Sequence, residues 1–261
     1  MNDMLRSAVD TMARAVAERL GGEASVWLYG SVVLDDFRPG WSDIDFLALA
    51  DGPISEETAA ELLMLRQRLT EELNDPIYRS FEGVIANREE YLSGLFRRLV
   101  YWGTSGQRIT DRYVTDVFSR YELAEYGVCV YGDPDRSIFK APSYFELKAA
   151  VRDHYDSIRK YAVVTDESLY SCGWLLDIAR CVYTLREGGV ISKTAAGRRA
   201  LEEGLFVDGE PLRKTLVIRE NPLEYRDRAE VRAWLSSLGP TVQSYADVLG
   251  RELEAADNKN E

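Results

Sequence analysis

Apolar residues at Leu5, Ala8, Val9, Met12, Val16 and Leu20 recur at steps of three and four, and Gly21-Gly22 follows them, which predicts an opening amphipathic helix stopped by the glycine pair. The period then shortens. SVWLYG is a short β-prone run, DDFRPGW is a polar turn, and in DIDFLALA the residues Ile44, Phe46 and Ala48 alternate with Asp43, Asp45, Leu47 and Leu49, so two strands are predicted. SEETAAELLMLRQRLTEELND restores the helical period, with an N-cap hydroxyl at Ser55 and acids in the first turn. RSFEGVIA reads as a third strand, NREEYLSGLFRRLVYWG as a partly amphipathic helix, and a polar connection leads through DRYVTDVFSRYELAEYG to the apolar strand VCVYG.

From about Pro142 the strand-like runs disappear. SYFELKAAVRDHYDSIRKYA, SLYSCGWLLDIARCVYTLREGG, SKTAAGRRALEEG and RAEVRAWLSSLGPTVQSYADVLGREL all carry helical periods. The pattern predicts an α+β chain of two domains, residues 1–150 with the strands and residues 151–261 all helical, with no internal repeat.

At 261 residues and 46% hydrophobic content the chain can bury a substantial core. Its formal charge of −12 argues against broad contact with nucleic-acid phosphates, which calls for Lys and Arg stripes, and fits a cationic partner better. No apolar run approaches the length of a membrane span and the amphipathic N-terminus does not read as a signal peptide, so a cytoplasmic protein without membrane contact is expected. A monomer is favoured over an oligomer. Cys129, Cys172 and Cys181 form no CxxC pair and read as reduced, small core hydrophobes.

One feature conflicts with an ordinary buried strand: DIDFLALA begins with two carboxylates one residue apart. Residues i and i+2 of a strand share a face, so Asp43 and Asp45 project together, and burying both charges costs several kcal/mol per ion, on the order of the desolvation penalty, unless a cation compensates them. Mg²⁺, which prefers a few carboxylates together with phosphate oxygens, satisfies that demand. An isolated DxD is more often a solvated strand end. Here it is preceded by Gly30-Ser31 at the end of a strand, where a glycine lets a phosphate approach the backbone and a serine hydroxyl can bind its oxygens. Ser42, directly before Asp43, either touches phosphate or terminates the turn.

The combination of GS, a loop and SDIDFLAL resembles the signature of the DNA polymerase β-type nucleotidyltransferase superfamily. LYGSVVLDDFRPGWSDIDFLALADGPIS resembles, more narrowly, the aminoglycoside adenylyltransferases that modify streptomycin and spectinomycin. YGVCVYGDP is similar to that family's last sheet strand, and LLDIARCVYTLREGGVISKTAAGRRALEEG to its C-terminal helical domain. The resemblance implies a mixed sheet with flanking helices followed by a helical bundle, and a reaction in which an antibiotic hydroxyl takes AMP from ATP in the presence of Mg²⁺. It also implies that Glu82 in RSFEGVIA is the general base. Period-two alternation agrees, placing Ser80, Glu82 and Val84 on one face and Phe81 on the other.

Lys193, by the same resemblance, reaches the triphosphate from the helical domain; a solvated surface lysine is the plain alternative. For the drug, Trp102 in LVYWGTS and Asp177 in the apolar helix YSCGWLLDIARCVY are the candidates, because an ammonium-rich, hydroxyl-rich ligand calls for aromatic faces and carboxylates. A structural pair with Arg180, three residues on, is the stronger reading of Asp177. Tyr170 stands where the family carries an acidic residue for streptomycin. His154, the single histidine, reads as a surface or linker side chain. Two other readings stay open: a nucleotidyltransferase with a different acceptor, such as a protein side chain, a tRNA end or a lincosamide, and a non-catalytic binding domain that retains the fold.

Overall fold

The computed structural model describes residues 1, 3–73, 75–103 and 106–258. The chain divides into two compact units, one of Met1–Phe37 and Ser42–Ala141, the other of Arg38–Trp41 and Pro142–Glu261.

In the first unit the predicted opening helix is α1 (Asp3–Arg19), followed by β1 (Ala24–Leu28) and β2 (Ile44–Ala50). Then come α2 (Glu56–Leu73) and β3 (Phe81–Asn87). The segment read as one helix from Asn87 to Gly103 divides instead. Asn87 caps a short α3 (Arg88–Ser93), and Gly94 ends it in the left-handed conformation at φ +71°. The chain then re-enters the sheet as β4 (Leu99–Gly103) and β5 (Gly106–Thr110). The reason lies in LVYWG, where Val100 and Trp102 turn to one face and Leu99 and Tyr101 to the other; that period of two, carried by β-branched and aromatic residues, outweighs the weak helical pattern. The unit closes with α4 (Val117–Tyr126) and β6 (Val128–Tyr131).

Among the described residues the strands form one mixed sheet in the order β5-β4-β3-β2-β1-β6. β2 and β3 run parallel, and every other neighbouring pair is antiparallel. Each face has its own core. On one, Leu28, Phe46, Phe81, Ile85 and Trp102 pack with Val9, Met12 and Val16 of α1 and Leu62 and Leu65 of α2. On the other, Trp27, Leu47, Leu49, Val84 and Leu99 are packed by Leu123 of α4 and by a fringe of half-buried tyrosines. That thinner cover, apolar in the middle and phenolic at its edge, is the face on which Asp45 and Glu82 fall.

The second unit begins with a capping box, Ser143 with Glu146, ahead of α5 (Tyr144–Tyr161). It continues with α6 (Tyr170–Glu187), α7 (Lys193–Glu202), α8 (Glu210–Glu220), α9 (Pro222–Tyr225), α10 (Ala229–Leu235) and α11 (Gly239–Asn258). α6 is central, packed by α5, α7, α8 and α11, with Leu175, Leu176, Ile178, Cys181 and Val182 buried. No strand occurs in this unit among its described residues.

The loop Arg38–Trp41, read from sequence as part of a polar turn, is counted with the helical unit because its tryptophan packs there. Arg219 lies over the Trp41 ring at 5.2 Å, and the ring passes bare Gly173, where an added Cβ would still have 3.8 Å of room. Gly40 has φ +84° and a Cβ there would come 2.4 Å from Leu223, so only glycine suits the approach.

Candidate active site

The site in the first unit is built on the turn after β1. The N–H of Tyr29 donates to Asp45 O at 3.2 Å, and Gly30 then takes φ +69°. A Cβ on Gly30 would lie 2.1 Å from Asp45 Oδ2, so the glycine is required both for its left-handed conformation and for the space it leaves beside that carboxylate. Ser31 Oγ donates to the carbonyl of Asp43 at 3.2 Å. The Gly30-Ser31 turn and the Asp43–Asp45 segment are therefore fastened to each other through one backbone and one side-chain hydrogen bond.

Asp45 and Glu82 are register partners across the parallel β2–β3 pair, which places both carboxylates on one face at the start of their strands. The row continues. Tyr101 of β4 donates its hydroxyl to Glu82 Oε1 at 2.5 Å, and Arg108, the register partner of Tyr101 on β5, holds its guanidinium 4.2 Å from the Tyr101 ring centroid. Four neighbouring strands thus contribute Asp45, Glu82, Tyr101 and Arg108 to one band. A cleft of about 440 Å³ runs along it, walled by Tyr29 and Tyr113.

The electrostatics are those of a crowded anionic site. Burial pushes the Asp45 carboxyl well above the usual carboxylate range, and the charges of Glu122, Asp43, Glu82 and Asp116 push it further. Glu122 is a buried acid on α4, and Asp116 caps that helix by accepting from Ser119 N at 3.0 Å. Positive charge comes from Arg66 of α2. Its guanidinium donates to the carbonyls of Gly103 and Arg79 and acts on Glu82 and Asp43, while burial lowers its own pKa. The Tyr101 phenol is pushed up to about 12, first by burial and then by its bond to Glu82, so it is a donor at neutral pH.

Asp43 and Asp45 offer the hard oxygen donors that a divalent cation takes, and the bare Cα of Gly30 leaves room beside Asp45 Oδ2. After burial, the charges of Glu122, Asp43, Glu82 and Asp116 raise the Asp45 carboxyl, and a cation there would offset them. Among the described residues no three His, Cys, Asp or Glu side chains converge as a complete metal cage. A pair of carboxylates completed by phosphate oxygens is the arrangement these residues fit.

The remaining sequence candidates are Trp102, Asp177, Lys193 and Ser42. Trp102 was expected at the drug; it is instead 0% exposed, donates Nε1–H to Leu62 O at 3.0 Å and packs edge-on to Phe46 with ring centroids 5.4 Å apart. This corrects the expectation: β4 alternation turns Trp102 into the core and its neighbour Tyr101 into the cleft. Asp177, read more strongly as a structural partner of Arg180 than as a drug contact, has Arg180 Nη2 3.3 Å from its Oδ1, and Lys193, the nucleotide candidate, places its Nζ 3.0 Å from the same oxygen. Burial would raise the Asp177 carboxyl, but Lys193, Arg180 and His154 outweigh it and hold it below the usual range. Lys193 opens α7, whose N-cap Ser192 accepts from Ala195 N at 3.2 Å. Ser42 is half-buried in the turn before Asp43.

Sequence reading did not single out Tyr101, Arg108, Glu122 or Asp116. A local signal existed for one of them: Phe118 and Glu122 are four residues apart, which puts a carboxylate on the buried stripe of α4.

Residues 9–87 match the family profile of nucleotidyltransferase domains, and they contain the Gly30-Ser31 turn, Asp43, Asp45 and Glu82. The matched residues form a nucleotidyltransferase domain within the mixed sheet and its flanking helices, and a helical region follows. Among solved structures the chain is similar to the crystal structure of spectinomycin adenyltransferase AAD(9) from Enterococcus faecialis with ATP and spectinomycin. The match has a TM-score of 0.55 at 17% sequence identity and covers 92% of this chain and 97% of that one. No curated protein matches the chain in sequence. No helix among the described residues is long and apolar enough to cross a membrane.

Proposed function

We propose that the protein is an ATP- and Mg²⁺-dependent O-adenylyltransferase that transfers AMP to a hydroxyl of an aminoglycoside or aminocyclitol antibiotic, spectinomycin or streptomycin, and so confers resistance. The observation that carries this reading is the placement of Asp45 and Glu82 in register on one sheet face, with the Gly30-Ser31 turn against Asp45. The likeness to a spectinomycin adenyltransferase along nearly the whole chain supports it.

In this mechanism Glu82 takes the proton from the acceptor hydroxyl as its oxygen attacks the α-phosphorus of ATP. The new ester bond forms while the bond from the α-phosphorus to the α–β bridging oxygen breaks, and pyrophosphate leaves with that electron pair. Asp43 and Asp45 would hold Mg²⁺, which when bound neutralises phosphate charge. The Gly30-Ser31 turn lets the triphosphate approach the backbone, and Lys193 is assigned to its charge. Tyr29, Tyr101 and Tyr113, with carboxylates among them, give the cleft the aromatic faces and acceptors suited to a ligand bearing ammonium groups and hydroxyls.

The deciding experiment measures pyrophosphate release from ATP and Mg²⁺ with spectinomycin, streptomycin and a lincosamide supplied in turn. Release with spectinomycin or streptomycin alone is expected, together with growth of expressing cells in that drug. Release with neither drug removes the acceptor assignment.

A further inference from the structure

Tyr101 is held more firmly than a tyrosine at the wall of a cleft needs to be. Its position on β4 places its side chain on the same sheet face as Asp45 and Glu82, one strand beyond Glu82. Two residues along, Gly103 shares that face, and its missing side chain makes the space into which the phenol leans: a Cβ on Gly103 would lie 2.4 Å from Tyr101 Cε1 and 2.6 Å from its hydroxyl. From β5 the Arg108 guanidinium lies over the ring at 4.2 Å, and Tyr113 packs at a tilt with ring centroids 6.1 Å apart. Gly103 itself is secured, because its carbonyl accepts from Arg66. Glycine, arginine and tyrosine together fix where the hydroxyl ends, and it ends 2.5 Å from Glu82 Oε1.

We infer that Tyr101 is a positioning residue for adenylyl transfer: its hydroxyl, clamped between Gly103 and Arg108, holds the Glu82 carboxylate in the rotation from which it takes the acceptor proton. The inference rests on the assignment of Glu82 as general base. A carboxylate at the start of a strand has freedom about its last side-chain torsion, which is broad and weakly preferred. A donor bound to one oxygen removes that freedom. The hydrogen bond is charge-assisted, the stronger kind, and the phenol keeps its proton at neutral pH because its pKa lies near 12. Arg108 contributes indirectly. Its guanidinium stacks on the ring and so orients the tyrosine.

The test is a double-mutant cycle in the full chain with Tyr101→Phe, Glu82→Gln and the combination, read as kcat and KM for ATP and for the drug. Tyr101→Phe keeps the ring and its stack and removes one hydroxyl. It is expected to lower kcat roughly 10- to 100-fold, the range for a lost hydrogen bond to a charged group, with both KM values and the melting temperature nearly unchanged. In the Glu82→Gln background the same change is expected to cost nothing further, because residues that act as a unit are non-additive.

An unchanged kcat in Tyr101→Phe, a raised KM for the drug with kcat intact, or the same fold-loss in both backgrounds would overturn the inference while leaving Glu82 as base. Wild-type turnover in Glu82→Gln would instead remove the base itself, and the positioning role with it. Should the wild type transfer AMP to neither drug, crystal structures of the wild type and Tyr101→Phe decide. A Glu82 carboxylate that rotates away when the hydroxyl is removed supports the inference, and one that stays in place overturns it.

Discussion

Asp45 and Glu82 stand opposite one another across the parallel β2–β3 pair, two carboxylates on one face with no side chain between them in the register. The cost of that placement falls on Asp45, whose carboxyl is held well above the usual range by burial and then by Glu122, Asp43, Glu82 and Asp116. A raised acid favours the folded state fully when protonated, below its unfolded pKa, and that contribution is lost as pH rises through its folded value. At neutral pH, without nucleotide and metal, Asp45 therefore works against folding.

Asp45→Asn is accordingly expected to melt at a higher temperature than the wild type at pH 7 in the absence of ATP and Mg²⁺. A gain of ~1 kcal/mol would correspond to roughly 2–4 °C for a domain of this size. The difference should shrink as pH falls toward ~4, the unfolded carboxylate value. Adenylyl transfer should be abolished at every pH. Calorimetry across that range checks the sign, and a variant less stable than wild type at pH 7 would contradict it.

Gly30→Ala adds the one carbon the turn cannot take, 2.1 Å from Asp45 Oδ2 and at φ +69°. The left-handed conformation alone costs a residue with a Cβ about 1–2 kcal/mol, and the contact displaces Asp45. Lower denaturant midpoint and loss of turnover should appear together. Gly21→Ala, also at positive φ but with nothing within 4 Å of the added carbon, should show the stability loss alone.

The elements from α1 through β3 were legible because each carries one clear period, and Asp45 and Glu82 could be placed on a face by counting along their strands, whereas Asp43 lies just before β2, which begins at Ile44. The hairpin of β4 and β5 was not, because NREEYLSGLF begins a true helix and the following LFRRLVYW satisfies both periods in part; the left-handed turn at Gly94 decides between them. From that error followed the choice of Trp102 over Tyr101, adjacent residues on opposite faces. Arg108 reaches the site only through strand order, which no local pattern encodes, and the buried stripe that carries Glu122 does not say which face of the sheet α4 covers. Trp41 was hidden for the same reason: its partners Arg219 and Gly173 lie far along the chain.

Trp102→Ala is expected to act on stability alone. The side chain fills the core between Phe46 and α2 and donates to Leu62 O, so truncation should cost about 3–5 kcal/mol, the range for a large buried aromatic. Trp102→Phe should cost less and leave KM for the drug as in the wild type. Urea denaturation and steady-state kinetics on the same preparations separate the two effects. A raised KM in a fully folded Trp102→Phe would return the tryptophan to the binding site.

Asp177 shows the opposite sign to Asp45. Burial raises its carboxyl, yet Lys193, Arg180 and His154 together bring it below the usual range, so the folded state favours the ionised form. A depressed acid contributes stability above its unfolded pKa, near 4 for an aspartate, and loses it as pH falls through the folded value. Asp177→Asn should therefore destabilise the protein at pH 7, by about 1–3 kcal/mol if the loss resembles that of a hydrogen-bonded charge partner, and the difference from wild type should close on acidification. The same substitution releases Lys193 from an ion pair at 3.0 Å. If Lys193 serves the triphosphate, the lysine no longer has to leave a carboxylate to do so, and KM for ATP should fall or hold while stability drops. Denaturation at pH 7 and at pH 3, set beside ATP titrations of the folded variant, tests both halves, and a KM for ATP that rises in step with the loss of stability would show that Asp177 orients Lys193 for the nucleotide instead of competing for it.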